Sequence, residues 1–239
     1  MTALQQRTIG ELVAEAPLRA NIFEKRQIDY CCKGRRSLEQ VCAEQGVPMA
    51  ELIAELEQAP PQEAPLDWRS RSLTELAKHI VNRHHVYLRS TMPSVAGKLE
   101  TVVRVHGDNH SVLLTLRDAF AELESELSPH MAKEEMVLFP YIAAMERAAQ
   151  DRVPAPPAPG GSVRNPIRMM EHEHDNAGRA LGRIRELTSD YEPPTDACNT
   201  FRALYAQLAE LERDLHTHIH LENNILFPRA AELEEQLLS

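Results

Sequence analysis

The chain has 239 residues, enough for one large domain or for a main domain with a small companion. Its formal net charge of -10 argues against a nucleic-acid partner, because phosphate binding needs a basic surface. No run approaches the roughly 18 consecutive apolar residues of a membrane-spanning helix. The first residues also lack the basic start and apolar core of a signal peptide. We therefore expect a cytoplasmic protein without a membrane anchor.

The N-terminal part of the chain carries the start signals of short helices. Thr8 is followed three residues later by Glu11, which fits a capping box, in which two side chains bond to free backbone N–H groups at a helix start. Ser37 and Gln40 repeat this pattern. Residues 1–59, which include the motif DYCC, are thus predicted to form a small helical domain.

A proline-rich stretch separates this domain from longer predicted helices. Residues 60–71 contain PPQEAP, which predicts a stiff, extended linker. Beyond it, helices are predicted from Ser72, over 111–149, over 165–190 and from 197 onwards. Strand-like alternation of apolar and polar residues is absent from the sequence. We predict an all-α protein whose residues 72–239 form an antiparallel four-helix bundle.

One phrase is written twice in the bundle, as HMAKEEMVLFP and as HIHLENNILFP. On a helix, residues four apart point from the same face, so His130 and Glu134 can present an imidazole and a carboxylate to one point. The same holds for His218 and Glu222 in the second copy. The shared context predicts that both pairs lie at one depth, as two halves of a metal site. Glu135 is expected to turn outward.

A site for two metal ions needs more ligands, and further histidines can supply them. The candidates are His84, His85, His106 and His174. Neighbours on a helix diverge by about 100°, so only one of His84 and His85 should face the core, and the apolar pattern does not decide which. On one straight helix His85 and His106 would be about 31 Å apart, whereas paired metal ions lie only ~3.5–4 Å apart. If both bind one centre, the chain must turn at Met92-Pro93 or at Gly97.

The ligand types favour iron. Five histidines with two carboxylates form a nitrogen-rich set, which suits iron better than magnesium or calcium. A ferritin-like site is the alternative, because Glu171 and His174 match its Glu-x-x-His motif, but no second copy with a matching context is present. The other histidines are interpreted as surface groups or as groups that orient ligands: His79, His110, His172, His216 and His220.

The chain resembles the hemerythrin-like di-iron proteins of the Repair of Iron Centers family over essentially its whole length. The motifs that carry the resemblance are DYCCKG, DWRS, RVHGD, HMAKEEMVLFP, EHEHD and HIHLENNILFPRA. The resemblance implies a hemerythrin-like bundle with two non-haem irons, bridged by the carboxylates of Glu134 and Glu222, and it selects His85 over His84. The implied iron ligands are His85, His106, His130, Glu134, His174, His218 and Glu222.

The adjacent cysteines Cys31 and Cys32 have two interpretations. They can be small apolar residues in a tight helical junction, since neighbouring cysteines are poorly placed for an unstrained disulfide. Alternatively they are redox-active, persulfide-forming or iron-relaying thiols, with Lys33, Arg35 and Arg36 favouring the thiolate. By resemblance, the linker would let the small domain approach the di-iron site. The remaining cysteines, Cys42 and Cys198, are interpreted as structural.

The resemblance also implies a function in the nitrosative and oxidative stress response. The expected role is repair of damaged iron–sulfur clusters by donation of iron. An alternative is binding or reduction of nitric oxide at the di-iron site, which would make the protein an enzyme that forms nitrous oxide, and a third is a sensor or carrier of a diatomic gas. Expected partners are damaged iron–sulfur proteins, with nitric oxide or oxygen as small ligands. A homodimer is left open.

Overall fold

The computed structural model describes residues 4–58 and 67–238. Within these residues every regular element is a helix, and an isolated bridge between Thr8 and Ser37 is the one β pairing. The prediction of an all-α protein is therefore confirmed. None of the described helices offers a stretch long and apolar enough to cross a membrane. Most of the predicted linker, residues 60–66, lies outside the described residues, so the domain boundaries stay a prediction.

Four short helices form the N-terminal unit. They are α1 (Ile9–Glu15), α2 (Arg19–Lys25), α3 (Leu38–Gln45) and α4 (Met49–Gln58). The predicted capping boxes are present: the Glu11 amide donates to Thr8 Oγ1 at 3.2 Å, and the Thr8 amide donates to the Glu11 carboxylate at 3.1 Å. Ser37 and Gln40 bond in the same way at the start of α3. These local bonds explain why the helix starts could be read from sequence.

The rest of the described chain folds into four long helical rods. Its helices are α5 (Leu73–Ile80), α6 (Val86–His106), α7 (Val112–Lys133), α8 (Phe139–Asp151), α9 (Arg164–Leu187), α10 (Asn199–Leu221) and α11 (Phe227–Leu238). Single π-helical turns join α5 to α6, α7 to α8 and α10 to α11 without a break, over Val81–His85, Glu134–Leu138 and Glu222–Leu226. Short connections between consecutive rods make neighbouring rods antiparallel, as predicted for the bundle.

Helix α6 does not make the turn that His85 and His106 would need in order to bind one centre. It continues through Met92, Pro93 and Gly97 to its last residue, His106. Proline inside a helix removes one backbone hydrogen bond and costs roughly 3 kcal/mol. The buried side chains around it, such as Met92 at 3% exposure, pack into the bundle core and keep the helix continuous against this cost. Packing therefore decides what the local proline signal leaves open.

Two apolar clusters divide the bundle along its length. One contains residues such as Leu88, Leu116 and Leu208, and the other contains residues such as Leu76 and Ile142. The histidines and glutamates singled out in the repeated phrase lie between these clusters, where apolar packing is interrupted by a buried polar layer. A third cluster forms the core of the N-terminal unit.

The third cluster also joins the small unit to the bundle. It includes Ile219 of α10 together with Phe23, Tyr30 and Cys31 of the N-terminal unit. Helix α1 additionally contacts the π-helical turn Glu222–Leu226. Apolar burial of this kind is the main favourable term in association of helical units. The DYCC motif is thus packed directly against the polar layer.

Candidate metal centre

The three π-helical turns carry residues of the repeated phrase to the centre of the bundle. A π-helical turn is wider than an α-helical one and occurs frequently at functional sites. His85 is the last residue of the first turn, and Glu134 and Glu222 begin the other two. His130 and His218 lie one helical turn earlier on their rods, and the ligand candidate on α9 is His174. All four rods therefore contribute to one point.

Six of the seven expected ligands converge in two overlapping groups. One group comprises His85, Glu134, His218 and Glu222, and the other comprises His130, Glu134, His174 and Glu222. Within each group the ligand atoms all lie within 4.8 Å of one another. Each of the six residues is at most 2% exposed. Both glutamates belong to both groups, so the arrangement offers two adjacent cation positions.

Each glutamate directs one oxygen to each of the two groups. Glu134 Oε1 lies 3.4 Å from His130 Nε2, and its Oε2 lies 3.4 Å from His85 Nε2. Glu222 Oε1 lies 3.1 Å from His218 Nε2, and its Oε2 lies 3.1 Å from His174 Nε2. This division of the two oxygens is what a carboxylate needs in order to bridge two metal ions.

Polar neighbours orient three of the four imidazoles. His85 Nδ1 lies 2.6 Å from the Glu135 carboxylate, and His130 Nδ1 lies 2.9 Å from the Glu173 carboxylate. Because an ionised carboxylate only accepts, each Nδ1 donates, and the neutral ring keeps a lone pair on Nε2, which points to the centre. The hydrogen bond from His130, followed by that from Lys133, lowers the pKa of Glu173 to about 2.

Asn223 performs the same task for His174. Its Oδ1 lies 2.8 Å from His174 Nδ1. Asn223 follows Glu222 as Glu135 follows Glu134, so equivalent positions of the two copies each orient a ligand on a neighbouring rod. The expectation that Glu135 turns outward is therefore wrong, because Glu135 bonds to His85 and to Arg89.

The donor atoms at the centre fit a metal pair. His85 Nε2 faces His218 Nε2 at 3.2 Å, and His174 Nε2 faces His130 Nε2 at 3.1 Å. Neither oxygen of Glu134 has a hydrogen-bond partner within the described part of the chain. A buried carboxylate without a hydrogen-bond partner is unfavourable unless positive charge lies beside it. Cations at the two positions would supply that charge.

The pKa values at the centre follow from the same geometry. Burial lowers the pKa of His218. Burial acts in the same direction on His174, but its contact with Glu222 outweighs this and raises the pKa to about 9. Burial alone would raise the pKa of Glu222, yet His218 and His174 hold it well below its usual value. The centre thus stabilises carboxylate and positive charge together.

His106 is not part of this centre, and its assignment as an iron ligand is wrong in this structure. Because α6 does not turn, His106 lies at the far end of a helix about 31 Å long at ~1.5 Å per residue. Its Nε2 instead lies 3.2 Å from Cys198 Sγ. Of the two adjacent histidines, His85 is in the centre, while His84 bonds through Nδ1 to Asp214 at 3.0 Å and stacks on His218.

The DYCC motif borders the centre on the side of His174. Cys32 Sγ lies 3.5 Å from the His174 carbonyl oxygen. Asp29, Cys31 and Cys32 form a third group whose ligand atoms lie within 4.8 Å of one another. The hydrogen bond with Cys32, and then burial, raise the pKa of the Cys31 thiol well above its usual value.

Of the two interpretations of the cysteine pair, the one that favours a thiolate is not supported at Cys31. Two of the basic residues that should favour the thiolate form ion pairs elsewhere, because Arg35 pairs with Glu171 and Arg36 pairs with Glu44. Cys31 itself is buried at 3% exposure, next to the Asp29 carboxylate at 3.3 Å. A protonated thiol follows from this low-dielectric, acidic environment.

Two asparagines that the sequence analysis did not single out hold the motif in place. Asn223 Nδ2 donates to the Cys31 carbonyl at 3.3 Å, and Asn224 Nδ2 donates to the same carbonyl at 3.1 Å. Asn224 fits between Gly10 and Gly34, where any larger side chain would collide with it. The sequence signal for this pair was a difference between the two copies of the repeated phrase. Glu134 is followed by Glu-Met, whereas Glu222 is followed by Asn-Asn.

Fold and site together define a helical metal-binding protein whose histidines and glutamates come from all four rods of one bundle. Residues 76–230 match the family described as Hemerythrin HHE cation binding domain, and residues 5–60 match a Domain of Unknown function (DUF542). The chain is 38% identical to the Iron-sulfur cluster repair protein YtfE of Musicola paradisiaca, over 95% of this chain and 96% of that protein. The YtfE protein of Escherichia coli O157:H7 is also 38% identical, over 95% and 98%. The chain belongs to the Repair of Iron Centers family, within the hemerythrin HHE proteins.

Proposed function

We propose that this protein repairs damaged iron–sulfur clusters by supplying iron from a carboxylate-bridged di-iron centre. The observation that carries the proposal is the division of the Glu134 and Glu222 oxygens between two groups of histidines. The names of the relatives, which are iron–sulfur cluster repair proteins, support the choice of partner. Damaged iron–sulfur proteins of the cytoplasm would then be the acceptors. All six ligands come from one chain, so the proposed function needs no second copy.

The residues of the centre would hold two non-haem irons in separate halves. His85 and His218 serve one half and His130 and His174 the other, with both glutamates shared. Bound iron supplies Lewis-acid and one-electron chemistry. The surrounding apolar clusters exclude water from the polar layer, while Glu135, Glu173 and Asn223 keep the imidazole lone pairs directed inward.

We propose that Cys31 and Cys32 relay iron from the centre to the surface. The Asp29, Cys31 and Cys32 group adjoins the His174 half of the centre through the contact of Cys32 Sγ with the His174 carbonyl. The same three residues line an open cleft of about 810 Å³ between the small unit and the bundle. Metal binding displaces thiol protons, so the raised pKa of Cys31 favours brief rather than permanent occupancy.

The proposal is tested by loading the protein anaerobically with iron and mixing it with an apo iron–sulfur protein. We expect about two irons per chain before mixing and transfer of iron to the acceptor without turnover. Glu222→Leu removes one bridging carboxylate and should lose most of one iron. His172→Asn, an exposed residue, is the matched control and should retain both. Wild-type protein with fewer than one iron per chain, or unchanged content in Glu222→Leu, would contradict the di-iron assignment.

Binding or reduction of nitric oxide is the second candidate function. It is favoured by the donor count, because each group supplies four donor residues and non-haem iron can keep positions open for a small ligand. Reduction predicts that nitrous oxide accumulates over many cycles while iron stays bound, whereas donation predicts loss of iron. A gas sensor or carrier, the third candidate, would bind the gas reversibly with neither outcome. Anaerobic mixing of the reduced protein with nitric oxide, with both products measured, separates the three.

A further inference from the structure

A second cluster of reactive side chains lies at the end of the bundle remote from the metal centre. Cys198 immediately precedes α10, and His106 ends α6. The His106 Nε2 to Cys198 Sγ distance is 3.2 Å. His110 Nε2 lies 2.9 Å from the Asp196 carboxylate beside this pair. The cluster joins a thiol, two imidazoles and a carboxylate from segments that are far apart in sequence.

The histidine beside Cys198 is held in position by packing and by backbone bonds. The ring of His106 packs on Phe201 at 5.3 Å between ring centroids, and Phe201 is only 1% exposed. The His106 carbonyl accepts from the His110 amide at 2.9 Å. The Cys198 carbonyl accepts from the Arg202 amide at 3.0 Å, which fixes the cysteine at the helix start. The contact between sulfur and imidazole is therefore a property of the fold.

The surroundings of Cys198 favour its thiolate. The sulfur makes no cap hydrogen bond, but Cys198 is the residue that precedes the first turn of α10, where the backbone N–H groups have no partner within the helix. The backbone N–H of Phe201, followed by the ring of His106, lowers the pKa of the Cys198 thiol. Cys31 and Cys42, by contrast, are buried and have raised pKa values. Cys198 is exposed, so it combines access with thiolate character.

We propose that Cys198 is a nucleophilic thiol that forms a mixed disulfide with a low-molecular-weight disulfide, with His106 as its proton acceptor. This replaces the interpretation of Cys198 as a structural residue, and it gives His106 a role outside the metal centre. The proposal does not depend on the proposed repair function. The four side chains form two separate contacts, His106 with Cys198 and His110 with Asp196. Among the described residues, no three of these side chains have ligand atoms within 4.8 Å of one another, which disfavours a metal site.

The exchange step balances without a further oxidant. The Cys198 thiol passes its proton to His106, and the thiolate attacks one sulfur of the small disulfide. A new S–S bond forms to Cys198 while the S–S bond of the reagent breaks. The departing sulfur leaves with the electron pair and is protonated by solvent. Cys198 is oxidised, and the departing thiol is reduced.

The test uses the full-length, iron-loaded protein and oxidised glutathione as the probe. Mass analysis of digested protein should find the first adduct on Cys198, and Cys198→Ser should remove it. The rate of adduct formation, plotted against pH, should have its midpoint below the ordinary pKa of a cysteine thiol. Replacement of His106 by Asn should shift this midpoint upward and slow the reaction at pH values below the midpoint, because a smaller fraction of Cys198 is then thiolate.

His110→Asn is the matched control, because His110 bonds to Asp196 and not to the sulfur. Its midpoint should equal that of the wild type. An unmoved midpoint in His106→Asn, a first adduct on Cys32 or Cys42, or a wild-type midpoint at or above the ordinary thiol value would overturn the proposal. A third metal ion per chain that is lost in Cys198→Ser would also overturn it, since the cluster would then be a metal site. The wild-type profile remains decisive if a variant fails to fold.

Discussion

Replacement of Asn223 by Leu should weaken one half of the metal centre and spare the other. Asn223 accepts from His174 Nδ1 at 2.8 Å, and leucine has a similar volume but no acceptor. The buried Nδ1–H of His174 would then lack a partner, which costs about 1–3 kcal/mol. This corresponds to about 5- to 150-fold in affinity. Loss of a contact that orients a metal ligand typically lowers metal affinity by roughly 10–100-fold, which is the same range.

The matched control is the neighbouring residue, Asn224. It holds the backbone of the DYCC motif at 3.1–3.2 Å but has no hydrogen bond to any of the six proposed ligands, so Asn224→Ala should loosen the small unit and retain both irons of the proposed centre. Asn223→Asp keeps an acceptor for His174 and should also retain them. Anaerobic competition with a chelator measures the two iron affinities. Equal affinities in Asn223→Leu and wild type, or an equal loss in Asn224→Ala, would show that the contact of Asn223 with His174 does not support metal binding.

Three further predictions follow from the structure. Replacement of His106 by Asn should leave iron content unchanged, because the side chain lies at the far end of α6; a loss of iron would restore it as a ligand. Gly34→Ala should release the small unit, because its Cβ would lie 2.5 Å from the Tyr30 carbonyl and collide with Asn224, and protease sensitivity near DYCC should rise. His130 lowers the pKa of Glu173 from 4.5 to about 2. In the metal-free protein Glu173 therefore stabilises the fold at pH values above its unfolded-state pKa, and this stabilisation is lost as pH falls from 4.5 to about 2. Glu173→Gln should make the free energy of unfolding less dependent on pH in this range. Denaturant titrations at several pH values measure this dependence, and an unchanged dependence would contradict the prediction.

The repeated phrase shows why part of the metal centre was predictable. The spacing of His130 and Glu134, and of His218 and Glu222, sets one helix face by local geometry alone. The structure brings each pair to the centre, and their role as metal ligands stays a prediction. A helical pattern cannot report a π-helical turn, however, and Glu135 lies in one. For this reason its bond to His85 on another rod was missed.

His106 shows the limit of transfer from a resemblance. The motif RVHGD resembles that of the family and so implied that His106 is a ligand. On a continuous helix His106 lies too far from His85 for both to bind one centre, so this role required a turn in α6. The sequence contains residues that permit such a turn, namely Pro93 and Gly97. Whether they produce it depends on burial of the neighbouring side chains in the bundle core, which keeps the helix continuous. Packing in the bundle core therefore outweighs the local signals for a turn at Pro93 and Gly97.

The helix starts, the all-α class and the two half-sites of the repeated phrase could be predicted from the sequence. These features depend on capping residues and helical spacing, which act within a few residues of the chain. Helical spacing left open whether His84 or His85 enters the centre, and the packing of the rods places His85 there. Packing also sets the contact of His106 with Cys198 and the contacts of Asn223 with His174 and the Cys31 backbone. Each of these contacts joins residues more than 40 positions apart, so each depends on how the rods and the small unit pack rather than on any local pattern.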